Sequence, residues 1–462
     1  MFIGRERELA ALEERYGSGK FELGIMYGRR RVGKTTLLSE FVRGKRAVFF
    51  TAMETSAEEN LLSLSRSIMG DSGGPVFQNF PDACRRIFEM AREGPLVFII
   101  DEFPYLAASY PGISSVLQKL IDEYKANSPL FMIINGSSMT MMEDYFFTYK
   151  RPLYGRKTFQ LKIEPFGFFE MKSYFRKSSA GRLPYIYGVY GGIPQYFEYY
   201  DQRLSFRENL IKNYLRTGAP LLDEPGSLLK QEVRDPSNYN AILSAIAEGC
   251  TRYSDIAAKA KLESGNIAGF LKNLTALNLI ARESPVPEGG RRPLYVLKDH
   301  MIRFWYRFIP AYLSQINSGK SALVCDAIEA ELDPYMGKVF EAITGEYLWM
   351  LNGTERLPFA FTQAGRWWGG DPAKKREEEI DIIAHDGKTR AIFCECKWQK
   401  KKTGLDVLEG LVEKSHLPAF SQFTGKYFYI FSRGGFTEGC RKRAAGAEEI
   451  RLIDYGEMVS SS

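Results

Sequence analysis

The sequence predicts an α/β protein. Its first part is a parallel sheet with helices on both faces, and further helical and mixed α/β parts follow. Three observations carry this reading. Apolar runs at Leu23–Tyr27, Ala47–Thr51, Leu96–Asp101, Leu130–Gly136 and Thr158–Ile163 alternate with helical stretches such as Glu6–Tyr16, Thr35–Arg43, Ala57–Met69 and Ser114–Lys125. Alternation of this kind means parallel strands joined by crossover helices. Between the first run and the next helix stand Gly28, four residues, and then Gly33-Lys34-Thr35-Thr36. That is the phosphate-loop spacing G-x-x-x-x-G-K-[ST] in its strand-to-helix setting. Beyond residue 166 the pattern changes to helices, then to three helices with a hairpin, and then to a last unit of helix, strands, helix and strands.

The loop needs these residue types for physical reasons. Glycines let the backbone curl so that successive N–H groups point at anionic oxygens, and the helix start adds its positive end. Gly28, Arg31, Val32, Gly33, Lys34, Thr35 and Thr36 are therefore expected to bind ATP or ADP. Lys34 would reach the β- and γ-phosphates, and Thr35 would bind Mg²⁺. Leu96-Val97-Phe98-Ile99-Ile100-Asp101-Glu102 is an apolar strand ending in two carboxylates. It is expected to run beside the first strand, with Asp101 holding Mg²⁺ and Glu102 polarising the attacking water. A buried strand followed by an acidic helix cap is the plain alternative. The strand Leu130–Asn135 leads into Gly136-Ser137-Ser138, where either serine would sense the γ-phosphate, or an ordinary turn would stand. Arg151, Arg156 and Lys157 precede the last strand of this part, and one arginine could act as a finger on the γ-phosphate.

A chain of 462 residues is long enough for about three domains. Its net charge of +6, from 62 basic and 56 acidic residues, is too mild to imply nucleic acid by itself. The six cysteines include no C-x-x-C pair, and none of the three histidines supplies zinc spacing, so buried thiols are the better reading of Cys394 and Cys396. No signal peptide or membrane-length apolar run stands out, so a reduced cytoplasmic setting without membrane contact is expected.

Two further segments carry a resemblance. Met1–Glu8, MFIGRERE, resembles the h-h-G-R-x-x-E signature of AAA+ and STAND ATPases, where it packs by the adenine. Gly191-Gly192-Ile193-Pro194 resembles the G-x-P motif of the STAND helical lid, which implies that Pro194 lines the nucleotide pocket. The succession of YGRRRVGKT, FIIDEFPYL, INGSSMTMME, PLYGR and GGIP is similar to a prokaryotic, largely archaeal, ATPase family with a C-terminal DUF234 domain. The patterns along the chain divide it into a P-loop ATPase core over 1–165, a helical lid over 166–235, a winged helix-turn-helix of three helices and a hairpin over 236–310, a connector over 312–332 and a last unit over 333–456, and the resemblance implies an ATPase core, a winged helix and a nuclease-like C-terminal domain.

In the winged helix, Ser264–Leu277 would be the recognition helix, offering Asn266, Lys272 and Asn273, with Arg291 and Arg292 at the wing tip. DNA contact and internal packing are both open for so thinly charged a surface. In the last unit, Glu377-Glu378-Glu379-Ile380-Asp381 is followed, after a turn at Asp386-Gly387, by Cys394-Glu395-Cys396-Lys397. Alternation puts Glu395 and Lys397 on one strand face, and the hairpin brings Asp381 close to Glu395. Two carboxylates can bind Mg²⁺ and a lysine can orient water, which is the chemistry of phosphodiester hydrolysis. The arrangement resembles the PD-(D/E)xK nucleases, with Asp381, Glu395 and Lys397 as the motif and Glu341 on the preceding helix; Glu346 is a weaker candidate. Lys397, Lys400, Lys401 and Lys402 would attract a phosphate backbone, or form a solvated face.

These parts suggest an ATP-driven switch with a metal-dependent nuclease output, in nucleic-acid processing or defence. The alternative is a regulatory ATPase module whose nuclease-like domain is silent. A third reading is a motor or chaperone that forms a ring of copies, in which Arg151 or Arg156 would act across the interface.

Overall fold

In a computed structural model of the chain, residues 3–70, 76–263, 265–288 and 293–460 are described. They fall into two units, one of residues 1–166 with 193–195, the other of 167–192 with 196–462.

The first unit is built on five strands, β1 (Glu22–Tyr27), β2 (Ala47–Thr51), β3 (Leu96–Asp101), β4 (Leu130–Gly136) and β5 (Phe159–Lys162), all parallel, in the order β2-β3-β4-β1-β5. Burial follows position. The inner strands β1, β3 and β4 are buried along their whole length, whereas the edge strands β2 and β5 alternate. This is why the inner strands read as unbroken apolar runs. One expectation is corrected here. β3 does not run beside β1; β4 lies between them. Two of the crossover helices start on side-chain caps: Ser56 accepts from Glu59 N before Ala57–Met69, and Asn79 accepts from Asp82 N before Phe80–Arg92.

The second unit opens with helices Phe168–Tyr174, Leu183–Tyr190, Phe206–Tyr214 and Glu224–Glu232. Helices Ser237–Ala247, Tyr253–Lys259 and Ile267–Ala276 follow. Next come β6 (Ile280–Glu283) and β7 (Leu294–Leu297), paired antiparallel. The last sheet holds β8 (Gln363–Asp371), β9 (Arg376–His385), β10 (Arg390–Lys397), β11 (Gly425–Ser432) and β12 (Ile450–Asp454), in the order β12-β11-β10-β9-β8. It is parallel from β10 to β12 and antiparallel from β8 to β10.

The expected connector over 312–332 is also corrected. After the short helix Leu313–Asn317, a single helix runs from Ser321 to Leu351 with Pro334 inside it. Proline in a helix interior removes one backbone bond. Val324, Cys325, Ile328, Leu332, Met336, Val339 and Phe340 are buried on both sides of it, and that packing keeps the helix continuous. The Phe340 ring lies 5.1 Å from Trp398, just past β10, which seats this helix beside the sheet. Among the described residues, no helix is long and apolar enough to cross a membrane.

Candidate functional site

The phosphate loop leaves β1 at Gly28 and enters the helix Lys34–Phe41. Gly28 has φ 155°, and a Cβ there would lie 2.3 Å from Ile163 O, so no side chain fits. Gly33 has φ 91°, the left-handed turn that starts the helix. A Cβ on Gly33 would come within 4.0 Å of Pro194 Cγ, so the proline of the GGIP segment stands at the loop. Lys34 is buried, and its Nζ donates to Gly28 O at 2.8 Å and Arg29 O at 3.1 Å. Thr35 and Thr36 are exposed at the helix start. Thr35 Oγ1 donates to Asp101 Oδ2 at 2.9 Å.

The end of β3 is held from both sides. Asp101 Oδ1 accepts from Asn135 Nδ2 and from Glu102 N. Glu102 takes a left-handed backbone, φ 52° and ψ 47°, and its carboxylate accepts from Ser137 Oγ at 2.9 Å and Ser137 N at 3.3 Å. Of the two expected sensor serines, Ser137 therefore touches Glu102, and Ser138 stands just before the helix Met139–Phe147 with no side-chain bond to its backbone. Arg30 donates to Ser137 Oγ at 3.3 Å and to Tyr105 OH at 2.8 Å.

Arg5 carries a role that the residue-by-residue reading missed. It is buried, pairs with Glu8 at 2.9 Å, and donates to Val32 O at 3.0 Å and Glu164 O at 2.7 Å, with its guanidinium 4.3 Å from the Phe166 ring. The R-x-x-E spacing of the first segment is thus a one-turn ion pair that clamps the loop. Met1 and Phe2 lie outside the described residues. Arg151 pairs with Asp144, and Arg156 with Asp122 at 2.7 Å, so each candidate finger has an acidic partner within its own unit.

The second site is set by the register of β9 and β10. Cys394 faces Ile382, so the next pair places Glu395 opposite Asp381 on one face. Cys396 N donates to Asp381 Oδ2 at 2.8 Å. Cys394 and Cys396 are buried on the other face. Lys397 Nζ donates to Glu395 Oε1 at 2.6 Å, and Lys414 Nζ lies 3.8 Å from Glu395 Oε2. The helix Ser321–Leu351 supplies Glu341. Carboxylate oxygens of Glu341, Glu379 and Asp381 lie within 4.8 Å of one another. The structure thus joins Glu341 to Asp381, adds Glu379, and ties Glu395 to lysines. The signal for Glu379 was alternation, since it stands two residues before Asp381 on the same face. Glu346 is elsewhere: its carboxylate accepts from Phe168 N at 2.6 Å and Tyr187 OH at 2.7 Å, and burial pushes it up to about 7.

Electrostatics sets the state of this cluster. Burial, with the charges of Glu341 and Glu395, pushes Asp381 up to about 7. Burial also raises Glu341, against the pull of Lys338. Burial works to raise Glu379 too, but the Arg366 hydrogen bond and the nearby cations win, and the carboxyl sits below its ordinary value. Lys338 Nζ bridges Glu341 at 2.8 Å and Glu379 at 3.1 Å. Burial disfavours the Lys397 ammonium, yet Glu395 outweighs it, so Lys397 is raised and stays charged. Three carboxylates at this spacing fit a hard divalent cation, which would compete with Lys338 and Arg366 for them. In the three-helix region, Asn266, Lys272 and Asn273 are exposed, whereas Ser264, Arg291 and Arg292 lie outside the described residues. Lys400, Lys401 and Lys402 are exposed beyond β10.

The fold and the loop define a P-loop ATPase region joined to a restriction-endonuclease-like C-terminal region. The family described as "ATPase domain predominantly from Archaea" matches residues 2–200, and that described as "Restriction endonuclease" matches 370–461. DUF234, described as "Archaea bacterial proteins of unknown function", matches 305–407. "Uncharacterized protein MJECL04" of Methanocaldococcus jannaschii is 35% identical over 438 residues, 94% of this chain and 96% of its own. The chain belongs to the family of archaeal-type ATPases that carry a C-terminal DUF234 region. The "Uncharacterized ATP-binding protein MJ0423" of the same organism is 48% identical over 46 residues, 10% of this chain and 78% of its own. Among solved structures, the Walker-type ATPase PABY2304 of Pyrococcus abyssi is 22% identical. It aligns over 66% of this chain and 96% of its own, with a TM-score of 0.53, a likeness of fold.

Proposed function

We propose that the protein is a Mg²⁺-dependent ATP-hydrolysing switch whose C-terminal region cleaves DNA. The observation that carries the ATP half is the convergence of Lys34, Thr35, Asp101 and Glu102 at one end of the parallel sheet, with Pro194 beside the loop. The loop amides and Lys34 would hold the phosphates, and Thr35 and Asp101 would hold Mg²⁺, which neutralises phosphate charge. Glu102, placed by Ser137, would polarise the attacking water.

The C-terminal half rests on the Glu341–Glu379–Asp381 cluster beside Glu395 and Lys397. These carboxylates would hold a divalent cation, and Lys397 would orient the attacking water. We place the ATPase core at 1–165, the lid at 166–235, a winged helix at 236–310 and the nuclease-like domain at 333–456. The winged helix and the exposed run Lys400–Lys402 would contact DNA in a cytoplasmic setting.

The test is hydrolysis of ATP, and cleavage of several DNA forms with Mg²⁺ or Mn²⁺, with and without ATP. We expect cleavage that responds to nucleotide and is lost in Asp381→Ala. Intact DNA under every condition overturns the nuclease half. One observation favours the alternative of a silent platform: Lys338 and Arg366 already hold two of the cluster's carboxylates. Under that reading, Glu395→Ala with Lys397→Ala leaves DNA binding and ATP hydrolysis unchanged.

A further inference from the structure

The segment that follows β6, after the helix Ile267–Ala276, is tied to the last sheet. Just beyond β6, Val286 N donates to Arg366 O at 2.9 Å. Arg366 belongs to β8, the edge strand of the C-terminal sheet, so the segment after β6 adds one backbone bond to an open edge. The approach is close: a Cβ on Gly365 would lie 2.8 Å from Val286 Cγ2. The register of β8 on β9 shifts between Gly365 and Trp367, at the same place. A second tie lies outside the site, where Arg252 Nη2 donates to both carboxylate oxygens of Glu377, at 2.9 and 2.7 Å.

This docking carries an acidic side chain to the carboxylate cluster. Glu283, the last residue of β6, is partly buried in the field of Arg366, Lys338, Glu341 and Glu379. Burial raises its carboxyl, against the pull of Arg366 and Lys338. Lys338, which bridges Glu341 and Glu379, and Arg366, which pairs with Glu379, therefore also act on a third carboxylate, which belongs to a different part of the unit.

We propose that Lys338 and Arg366 form a binding site for a DNA phosphodiester, and that the negative charge of Glu283 opposes its binding while the segment after β6 is docked on β8. The inference rests on the reading of the cluster as a nucleic-acid site. A divalent cation taken up by Glu341, Glu379 and Asp381 replaces the positive charge those carboxylates now draw from Lys338 and Arg366. Both cations then need another anion. The arginine fork suits a phosphate bidentately, and the lysine suits it as a point charge. Glu283 opposes it because the docked segment holds a like charge in the field of the same two cations. The docked form is separable, since an exposed ion pair and a single backbone hydrogen bond are each weak.

The test uses the full chain and a labelled DNA duplex of random sequence. Affinity is read by anisotropy in Mg²⁺, and cleavage of the same duplex is followed in parallel. Glu283→Gln, which keeps the shape and removes the charge, is expected to tighten binding about tenfold, worth one charge-assisted contact. Arg252→Glu, which loosens the docking from outside the site, is expected to act in the same direction. The charge swap Arg252→Glu with Glu377→Arg should restore the wild-type affinity. The gain from Glu283→Gln should vanish in an Arg366→Gln background. Affinity unchanged in both Glu283→Gln and Arg252→Glu overturns the proposal, as does a Glu283→Gln gain that survives Arg366→Gln. Tighter binding without cleavage under any condition keeps the phosphate site and removes the nuclease reading. Cleavage with affinities that do not move keeps the nuclease reading and removes the phosphate site.

Discussion

Thr35 Oγ1 donates to Asp101 Oδ2 at 2.9 Å, although β1, which leads into the loop and the helix that carries Thr35, is not a neighbour of β3, which carries Asp101. Parallel strands all open at the same edge of a sheet, so residues at their C-terminal ends meet across an intervening strand. The hydroxyl and carboxylate satisfy each other at the place where the phosphates and a divalent cation would enter. Thr35→Ala should therefore weaken Mg²⁺-dependent ATP binding about tenfold or more, the worth of one charge-assisted contact. Lys34→Ala should abolish nucleotide binding. Isothermal titration with ATP and Mg²⁺ checks both, and a Lys34→Ala protein that binds ATP normally refutes the site.

Ser137 holds Glu102 through both its hydroxyl and its backbone N–H. Ser137→Ala should lower kcat about tenfold with KM for ATP nearly unchanged, because it acts on the positioning of Glu102 and not on nucleotide contacts. Glu102→Gln should lower kcat by about 10²- to 10⁴-fold, the usual worth of a general base. A Ser137→Ala variant that raises KM at constant kcat would place the serine on the nucleotide instead.

Asp381, pushed up to about 7 by burial and by the Glu341 and Glu395 charges, makes stability depend on pH. The folded chain binds a proton there that the unfolded chain, with a carboxyl near ~4, releases. The stabilisation is therefore full below ~4 and is lost as pH rises through about 7. Asp381→Asn should raise the thermal midpoint of the metal-free protein more at about pH 8 than at about pH 5. Divalent-cation affinity should climb over the same interval, because the proton must leave first. Equal midpoint gains at the two pH values would contradict this.

Arg5 is buried with one carboxylate and two carbonyls as partners. Arg5→Ala should cost about 2–3 kcal/mol and lower the first thermal transition by about 5–10 °C. Because the lost bond to Val32 O sits on the phosphate loop, ATP affinity should fall with it. Calorimetry of the same variant with and without ATP tests this, and an unshifted transition would rule out the clamp.

Much of this architecture was legible in the chain. Inner strands buried on both faces must be apolar throughout, so β1, β3 and β4 announced themselves, and the Gly28–Lys34 spacing has few other uses. Alternation along β10 put Glu395 and Lys397 on one face and the two thiols on the other. The errors share one cause. The connector over 312–332 was set apart from the domain that follows, whereas the helix Ser321–Leu351 runs through both, since burial on both sides of Pro334 outweighs the local cost of a proline. The neighbour of β3 was misplaced because a strand's own residues carry its burial and not its partner.

The sequence alone determined the loop, the strand-and-helix alternation and the carboxylate–lysine pattern, because backbone conformation and two-residue alternation act between near neighbours in the chain. Tertiary structure alone decided that β4 separates β1 from β3, that Glu379 joins Glu341 and Asp381, and that Val286 bonds to Arg366 beside them. These depend on charge and close packing between residues far apart in the chain, which become neighbours only when the sheet edges and helix faces are buried together.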